Sequence, residues 1–280
     1  MNLAQFPMRR VLWYTACSIT ALLFVAPILW SVLTSFKVPA EANAAPPRLL
    51  PSRLSGENYV ALLGYGDGMP RYLGNSLIVA TLTVIGIVIL STLAGYGFSR
   101  FKFPLKGVLF LMLLVTLMVP FQSILTPLFL VLHTLNLQNS LLGLALVNIT
   151  FQMPFSVFML RNSFDGIPRE LDDSAAIDGC NSLQILWRVL LPVALPGLIS
   201  VALFAFLASW NEFLAALIFL TDSEKFTLPV MLLNAQSGYL GTVDWGLMQA
   251  GITITVLPCA ILFLLLQRYY VSGLVSGAVK

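Results

Sequence analysis

Six apolar runs, each long enough to cross the hydrocarbon core of a bilayer, constrain this chain more than any other feature of its sequence. They fall at residues 11–36, 76–98, 107–132, 141–160, 195–220 and 247–267. A core about 30 Å thick takes roughly 20 residues at about 1.5 Å of rise each, so every run predicts one spanning helix. Composition agrees, since 58% of residues are hydrophobic and 10% charged. A soluble domain carries about 25% charged residues, so lipid must cover most of this exterior. Backbone polar groups inside hydrocarbon need internal partners, which helices supply. The reading is an all-α polytopic membrane protein, a single transmembrane domain over residues 1–280. Pro27, Pro120, Pro127, Pro154 and Pro258 lie inside the runs. Each lacks a backbone donor, so bent helices are expected, with neighbours re-satisfying the freed carbonyls.

An even number of spans puts both termini on one side. That side collects Arg9, Arg10, Arg100, Lys102, Lys106, Arg161, Arg169, Arg188, Arg268 and Lys280, while Lys37, Arg48, Arg53, Arg71 and Lys225 fall opposite. Short basic loops stay cytoplasmic, so both termini are read as cytoplasmic, and Arg100, Lys102 and Lys106 decide most. Arg9-Arg10 before an apolar stretch and Ala42-Asn43-Ala44 after it mimic a cleavable secretion signal. The stretch is longer than the roughly 7–15 residues of a signal core, so the first helix is expected to stay. The net charge of +3 is scattered and not interleaved with aromatics, which speaks against a nucleic-acid partner. Cys17, Cys180 and Cys259 have no ligand or disulfide spacing, and His133 reads as an interfacial side chain, so no metal is expected.

Polar groups inside the runs cost free energy against lipid and should face the interior. Gln122, Asn148, Gln152, Asn211, Glu212 and Gln249 are the candidates for a solute path, with Asn75, Ser123 and Thr253 beside them. Amides pair well with solute hydroxyls, which both donate and accept. Interhelical hydrogen bonds of about 0.6–2 kcal/mol explain any one of these residues equally well. Glu212 lies about 24 Å along its run from Pro196, too near the far interface for a proton relay at mid-depth.

Residues 161–194 form the only long segment expected on the cytoplasmic side, and they hold Asp165, Glu170, Asp172, Asp173 and Asp178. Pro168 suits a first helical turn, where its missing N–H would be unpaired anyway, and the acids that follow complement the positive end of the dipole. Gly179 supplies a stop. A helix over Pro168–Asp178 would show Leu171, Ser174 and Ala175 on one small-sided face open to another protein. A second helix, capped by Asn181 or Ser182, would carry Leu183, Leu186, Trp187 and Leu190 as a stripe along the membrane surface. Periodicity alone also allows a plain solvated loop folded over the bundle.

The run Ile167-Pro168-Arg169-Glu170-Leu171-Asp172-Asp173-Ser174-Ala175-Ala176-Ile177-Asp178-Gly179, followed by Ile185 and Leu191-Pro192, resembles the EAA loop of binding-protein-dependent ABC importer permeases. The resemblance implies that the first short helix is a coupling helix, which seats in a cleft of an ATPase subunit. By position, Asp173, Ser174 and Ala175 stand where the family has Glu-Ala-Ala, and Gly179 stands at its glycine. Glu170, Leu171, Asp172 and Asp178 complete the implied dock. Ser209-Trp210-Asn211-Glu212-Phe213-Leu214 and the tail Gln267-Arg268-Tyr269-Tyr270-Val271-Ser272-Gly273-Leu274-Val275-Ser276-Gly277-Ala278-Val279-Lys280 resemble the second permease of maltose-type carbohydrate importers. That implies a bacterial or archaeal cytoplasmic membrane and a sugar, oligosaccharide, polyol or glycerol-phosphate solute. It also implies a homologous second permease subunit, two ABC ATPase subunits and an extracytoplasmic solute-binding protein. Asn234, Gln236, Ser237, Gly238 and Tyr239 form the polar tip of an outer loop similar to the one that, in such permeases, probes the binding protein's cleft, and a plain hairpin between two spans is the alternative.

The sequence contains no G-x-x-x-x-G-K-[ST] phosphate cradle, so ATP and Mg are expected in a partner ATPase and no cofactor in this chain. H-E-x-x-H and G-x-S-x-G strings are absent as well. Gly64-Tyr65-Gly66-Asp67 matches a protease-like G-x-G-D string but falls outside the spans. A secondary transporter would be expected to show repeated halves with broken helices, and no repeat stands out here.

Overall fold

The computed structural model describes residues 5–237 and 243–278, with side chains described over 9–236 and 243–267. In chain order the helices are α1 (Gln5–Ser35), α2 (Pro39–Ala42), α3 (Glu57–Leu63), α4 (Met69–Arg100), α5 (Lys106–Val115), α6 (Leu125–Thr134) and α7 (Leu141–Asp165). They continue as α8 (Glu170–Ile177), α9 (Ser182–Ile185), α10 (Leu191–Trp210), α11 (Leu214–Phe219), α12 (Leu228–Ser237) and α13 (Trp245–Ala278). No strand occurs among the described residues. Among the described residues five helices are long and apolar enough to span a membrane, and a bent pair counted as one span makes six.

That bent pair is the third expected span. Lys106–Met118 and Phe121–Thr134 meet at 99°. The ring of Pro120 disfavours helical geometry in the residue before it, and Val119 is extended at ψ 118°. Pro127 falls in the first turn of α6, where a missing N–H is harmless. Pro27, Pro154 and Pro258 stay inside continuous helices. Between α9 and α10, Leu186–Leu190 form a π turn. Pro192 follows it, and its ring crowds the carbonyl of residue 188, which the wider turn relieves.

The contacts divide the chain into two compact units, Met1–Met69 with Met231–Pro258, and Pro70–Val230 with Cys259–Lys280. In the first, polar contacts hold the end of α1. Buried Asn58 on α3 donates to the carbonyls of Ser35 and Lys37 at 2.9 and 2.7 Å, satisfying groups that the helix end leaves open. Lys37 is only 1% exposed. Its Nζ lies 4.4 Å from the Trp30 ring centroid and donates to Thr34 Oγ1 and the Arg48 carbonyl. Asn43 bonds Asp244 and the Trp245 N–H, tying the segment after α2 to the start of α13.

In the second unit α7 packs along α10, where Gly197 lets the Ser163 side chain approach. Gly95 on α4 allows a similar approach, because a Cβ there would stand 3.0 Å from the backbone N of Arg161 and from Leu160 Cβ. Tyr96, Leu160, Phe164, Ile185, Leu186 and Leu190 form a buried cluster at the end carrying α8. Val79, Leu144, Ala145, Ala215 and Phe219 form another toward the opposite ends of α4 and α7.

Candidate functional site

The segment after α7 folds as two short helices because each end has a local partner for its open backbone groups. α8 begins two residues past Pro168, and the Leu171, Asp172 and Asp173 N–H groups bond back to Pro168 and Arg169. At its far end Gly179 takes φ +83°, which a side chain rarely tolerates. Gly179 N–H then donates to Ala176 O and Cys180 N–H to Ala175 O, each at 3.0 Å, the double bond pattern that closes a helix on a left-handed residue. α9 is capped by Asn181, whose side chain accepts from Gln184 N while Gln184 returns a bond to Asn181 N.

The two sides of α8 differ. Ala175 is its one buried residue, and Asp172 is turned inward. Glu170, Asp173, Ser174 and Asp178 are exposed, with Leu171 42% and Ile177 86% exposed. Ser174 Oγ folds back onto the Glu170 carbonyl at 2.7 Å. Of the expected small-sided face, therefore, Ala175 is covered by this chain while Leu171 and Ser174 stay open. The expected stripe on the second helix divides in the same way. Leu186 and Leu190 are buried, whereas Leu183 and Trp187 are 60% and 63% exposed.

Inward, Asp172 Oδ2 meets Arg100 Nε at 2.7 Å, with the two side chains 19% and 7% exposed. The guanidinium N–H does not aim at that oxygen, and neither Arg100 Nε nor Asp172 Oδ1 has a hydrogen-bond partner among the described residues. Arg100 also donates to the Ile167 carbonyl at 2.9 Å, and Arg169 to the Ser99 carbonyl at 3.3 Å. Ser99 donates to Asp165 at 2.6 Å and Tyr96 to the Ser182 carbonyl at 3.0 Å. The last turn of α4 is thus tied to the chain on both sides of α8. Burial pushes the Asp172 carboxyl above its ordinary range, and Asp173 adds to the rise, while Arg100 and Arg169 oppose it. Sequence reasoning took Arg100 only as an orientation marker and did not single out Ile177. The available signal was a large apolar side chain at the end of a short helix whose first turn is acidic.

Three of the six path candidates come together. Asn148, Gln152 and Glu212 line a cavity of about 140 Å³ with Phe121, Phe151 and Ser209. Phe121 and Phe151 meet edge to face, with centroids 4.4 Å apart. Asn148 donates to Ser209 Oγ at 3.1 Å, and Ser209 donates to Thr83 Oγ1 at 3.3 Å. Glu212 does local work too, accepting from the N–H groups of Ala215 and Ala216 at the start of α11. The other three candidates are not among the residues that line the cavity. Gln122 is exposed in the turn beyond Pro120, and the Asn211 amide bonds back to the Leu207 carbonyl at 2.7 Å. Gln249 belongs to the other unit.

Asn234 and Gln236 are exposed on α12, which ends at Ser237. The side chain of Ser237 and all of Gly238 and Tyr239 lie outside the described residues. Among the described residues no cluster of three or more His, Cys, Asp or Glu could hold a metal ion.

Comparison with known proteins gives the family of the chain. Residues 58–275 match the family described as "Binding-protein-dependent transport system inner membrane component". The trehalose/maltose transport system permease protein MalG of Thermococcus litoralis is 33% identical over 274 residues, covering 98% of each chain. The arabinooligosaccharides transport system permease protein AraQ of Bacillus subtilis is 33% identical over 278 residues, covering 99% of this chain and 98% of that one. In fold, the chain matches one from the crystal structure of a bacterial ABC transporter involved in the import of the acidic polysaccharide alginate. The TM-score is 0.84 at 22% identity, over 96% of this chain and 99% of that one. This chain belongs to the family of binding-protein-dependent transport system inner membrane components, a transport component and not an enzyme.

Proposed function

We propose that this chain is a membrane-spanning permease subunit of an ATP-driven importer for a sugar, oligosaccharide, polyol or glycerol-phosphate-type solute, delivered by an extracytoplasmic binding protein. Both relatives compared above are named for carbohydrate solutes, which favours that class. A homologous second permease, two ABC ATPase subunits and the binding protein complete the assembly, with ATP and Mg held in the ATPases. Both termini face the cytoplasm, in keeping with the bias of basic residues.

The observation that carries this reading is α8: short, capped at its far end, held from behind by Arg100, and open in front at Leu171, Asp173 and Ile177. A motor pressing on that front moves a stiff element and not a slack loop. Rocking of the bundle would open a central path to each side in turn, past the amides, hydroxyl and aromatic edges of the cavity. Asn234, Gln236, Ser237, Gly238 and Tyr239 would face the binding protein. Purifying the chain with everything that stays bound, then screening solutes for stimulated ATP hydrolysis, tests the proposal. Stimulation by a carbohydrate-loaded binding protein is expected. Stimulation by non-sugar solutes alone would move the chain to a permease of another solute class, and uptake driven by an ion gradient without ATP would make it a secondary transporter.

A further inference from the structure

Of the elements packed near α8, α4 is the straightest route from that helix to the cavity. α10 is reached only through the π turn at Leu186–Leu190 and carries Pro192 and Pro196 in its first two turns, and α7, though continuous, carries Pro154 in its interior, where one backbone hydrogen bond is lost. α4 has no proline after Pro70 and runs unbroken to Arg100. Its last turn holds α8 through the buried Arg100–Asp172 pair, with Arg100 also bonded to the Ile167 carbonyl just before α8. Thr83 lies 17 residues back along the same helix, about 25 Å at 1.5 Å per residue. It is fully buried and accepts from Ser209, which in turn accepts from Asn148, and both of those partners line the cavity.

We infer that α4 is the push rod of this subunit, with Arg100–Asp172 as the joint through which displacement of α8 enters it and Thr83–Ser209–Asn148 as the contact through which it reaches the solute cavity. The inference rests on the reading of α8 as the coupling helix. Arg100 and Thr83 act here as positioning residues, since neither lines the cavity. A salt bridge so little exposed keeps its two ends together when pushed, whereas exposed pairs are screened and loose. A rigid helix with two discrete contacts is also the kind of element through which sites can couple.

The test uses the complete complex with its own ATPases and binding protein in proteoliposomes, reading solute imported per ATP hydrolysed. Arg100→Gln is expected to lower that ratio at least about fivefold, the low end of coupling between sites. Exchanging the charges, Arg100→Asp with Asp172→Arg, is expected to restore most of the loss, which a merely packing role would not. Thr83→Val keeps the side-chain shape and is expected to lower the ratio by itself. Combined with Arg100→Gln it should add little, since both sever one line of contact. An unchanged ratio in Arg100→Gln, a charge exchange as poor as its single parts, or losses that simply multiply would overturn the push rod. Should Arg100→Gln not assemble, an unchanged ratio in Thr83→Val alone does the same. A wild-type complex that never links carbohydrate uptake to ATP hydrolysis would refute the proposed function instead.

Discussion

Gly179 offers the sharpest perturbation, because its cost is worked from backbone geometry alone. Apart from the adjoining residues, no heavy atom stands within 4 Å of where a Cβ would be, so a Cβ there meets open space and the cost is set by φ +83°. That conformation costs an L-residue roughly 1–2 kcal/mol, and a β-branched residue more. A residue that leaves it gives up the bonds of Gly179 N–H to Ala176 O and Cys180 N–H to Ala175 O. An eight-residue helix is too short to persist without its caps. A shift of one to two kcal/mol changes the ratio of formed to unformed cap by a factor of about 5–30. Gly179→Val should therefore insert into the membrane at wild-type yield and lose solute uptake per ATP by about that factor. Gly179→Asn is the control, because asparagine visits the left-handed region readily, and it should keep most of the uptake. Equal behaviour of the two variants, or full uptake in Gly179→Val, would refute the reasoning.

Asp173 is exposed on the open side of α8, so Asp173→Arg should lower recovery of the ATPase with this chain about tenfold, worth 1.4 kcal/mol; equal recovery would argue against the dock. Asn148→Leu removes the donor to Ser209 and should cost about 0.6–2 kcal/mol, seen as a lower thermal midpoint in detergent; an unchanged midpoint would contradict it. Asp172 has its carboxyl pKa raised by burial, with Arg100, Arg169, Asp173 and Tyr96 as its charged or titratable neighbours. A raised pKa means the folded chain binds the proton first, so this group's share of stability grows, not falls, as pH drops through its pKa. The Arg100 pair is lost over the same interval. Uptake per ATP should consequently decline at a higher pH than ordinary carboxylates explain, and Asp172→Asn should already show the low ratio and lack that part of the decline.

How much of this was legible beforehand follows from what each signal measures. Length and hydropathy report transfer into lipid, so apolar runs point to helices without saying whether a helix is continuous. The sequence marks Pro120, Pro154 and Pro258 alike, yet only Pro120 accompanies a break, because Val119 turns extended there while α7 and α13 continue past their prolines. α8 and its stop were readable from Pro168 and Gly179, since both act through their own backbone. Which of two adjacent acids turns inward was not, because Asp172 is chosen by Arg100, distant in sequence but next to it in space. For the same reason spacing could not separate Asn148, Gln152 and Glu212, which share a cavity, from Gln122 and Asn211, which do not. Lys37 shows the limit of charge counting, as an aromatic face and two oxygens bury a cation that the sequence leaves as one more basic residue.

The account turns on α8 being gripped by a separate motor. Ile177, 86% exposed on that helix, is the place to ask. A photo-crosslinking residue installed at position 177 and irradiated in native membranes should join this chain chiefly to the nucleotide-hydrolysing subunit. An adduct pattern without that subunit, in membranes where the complex imports solute, would contradict the account.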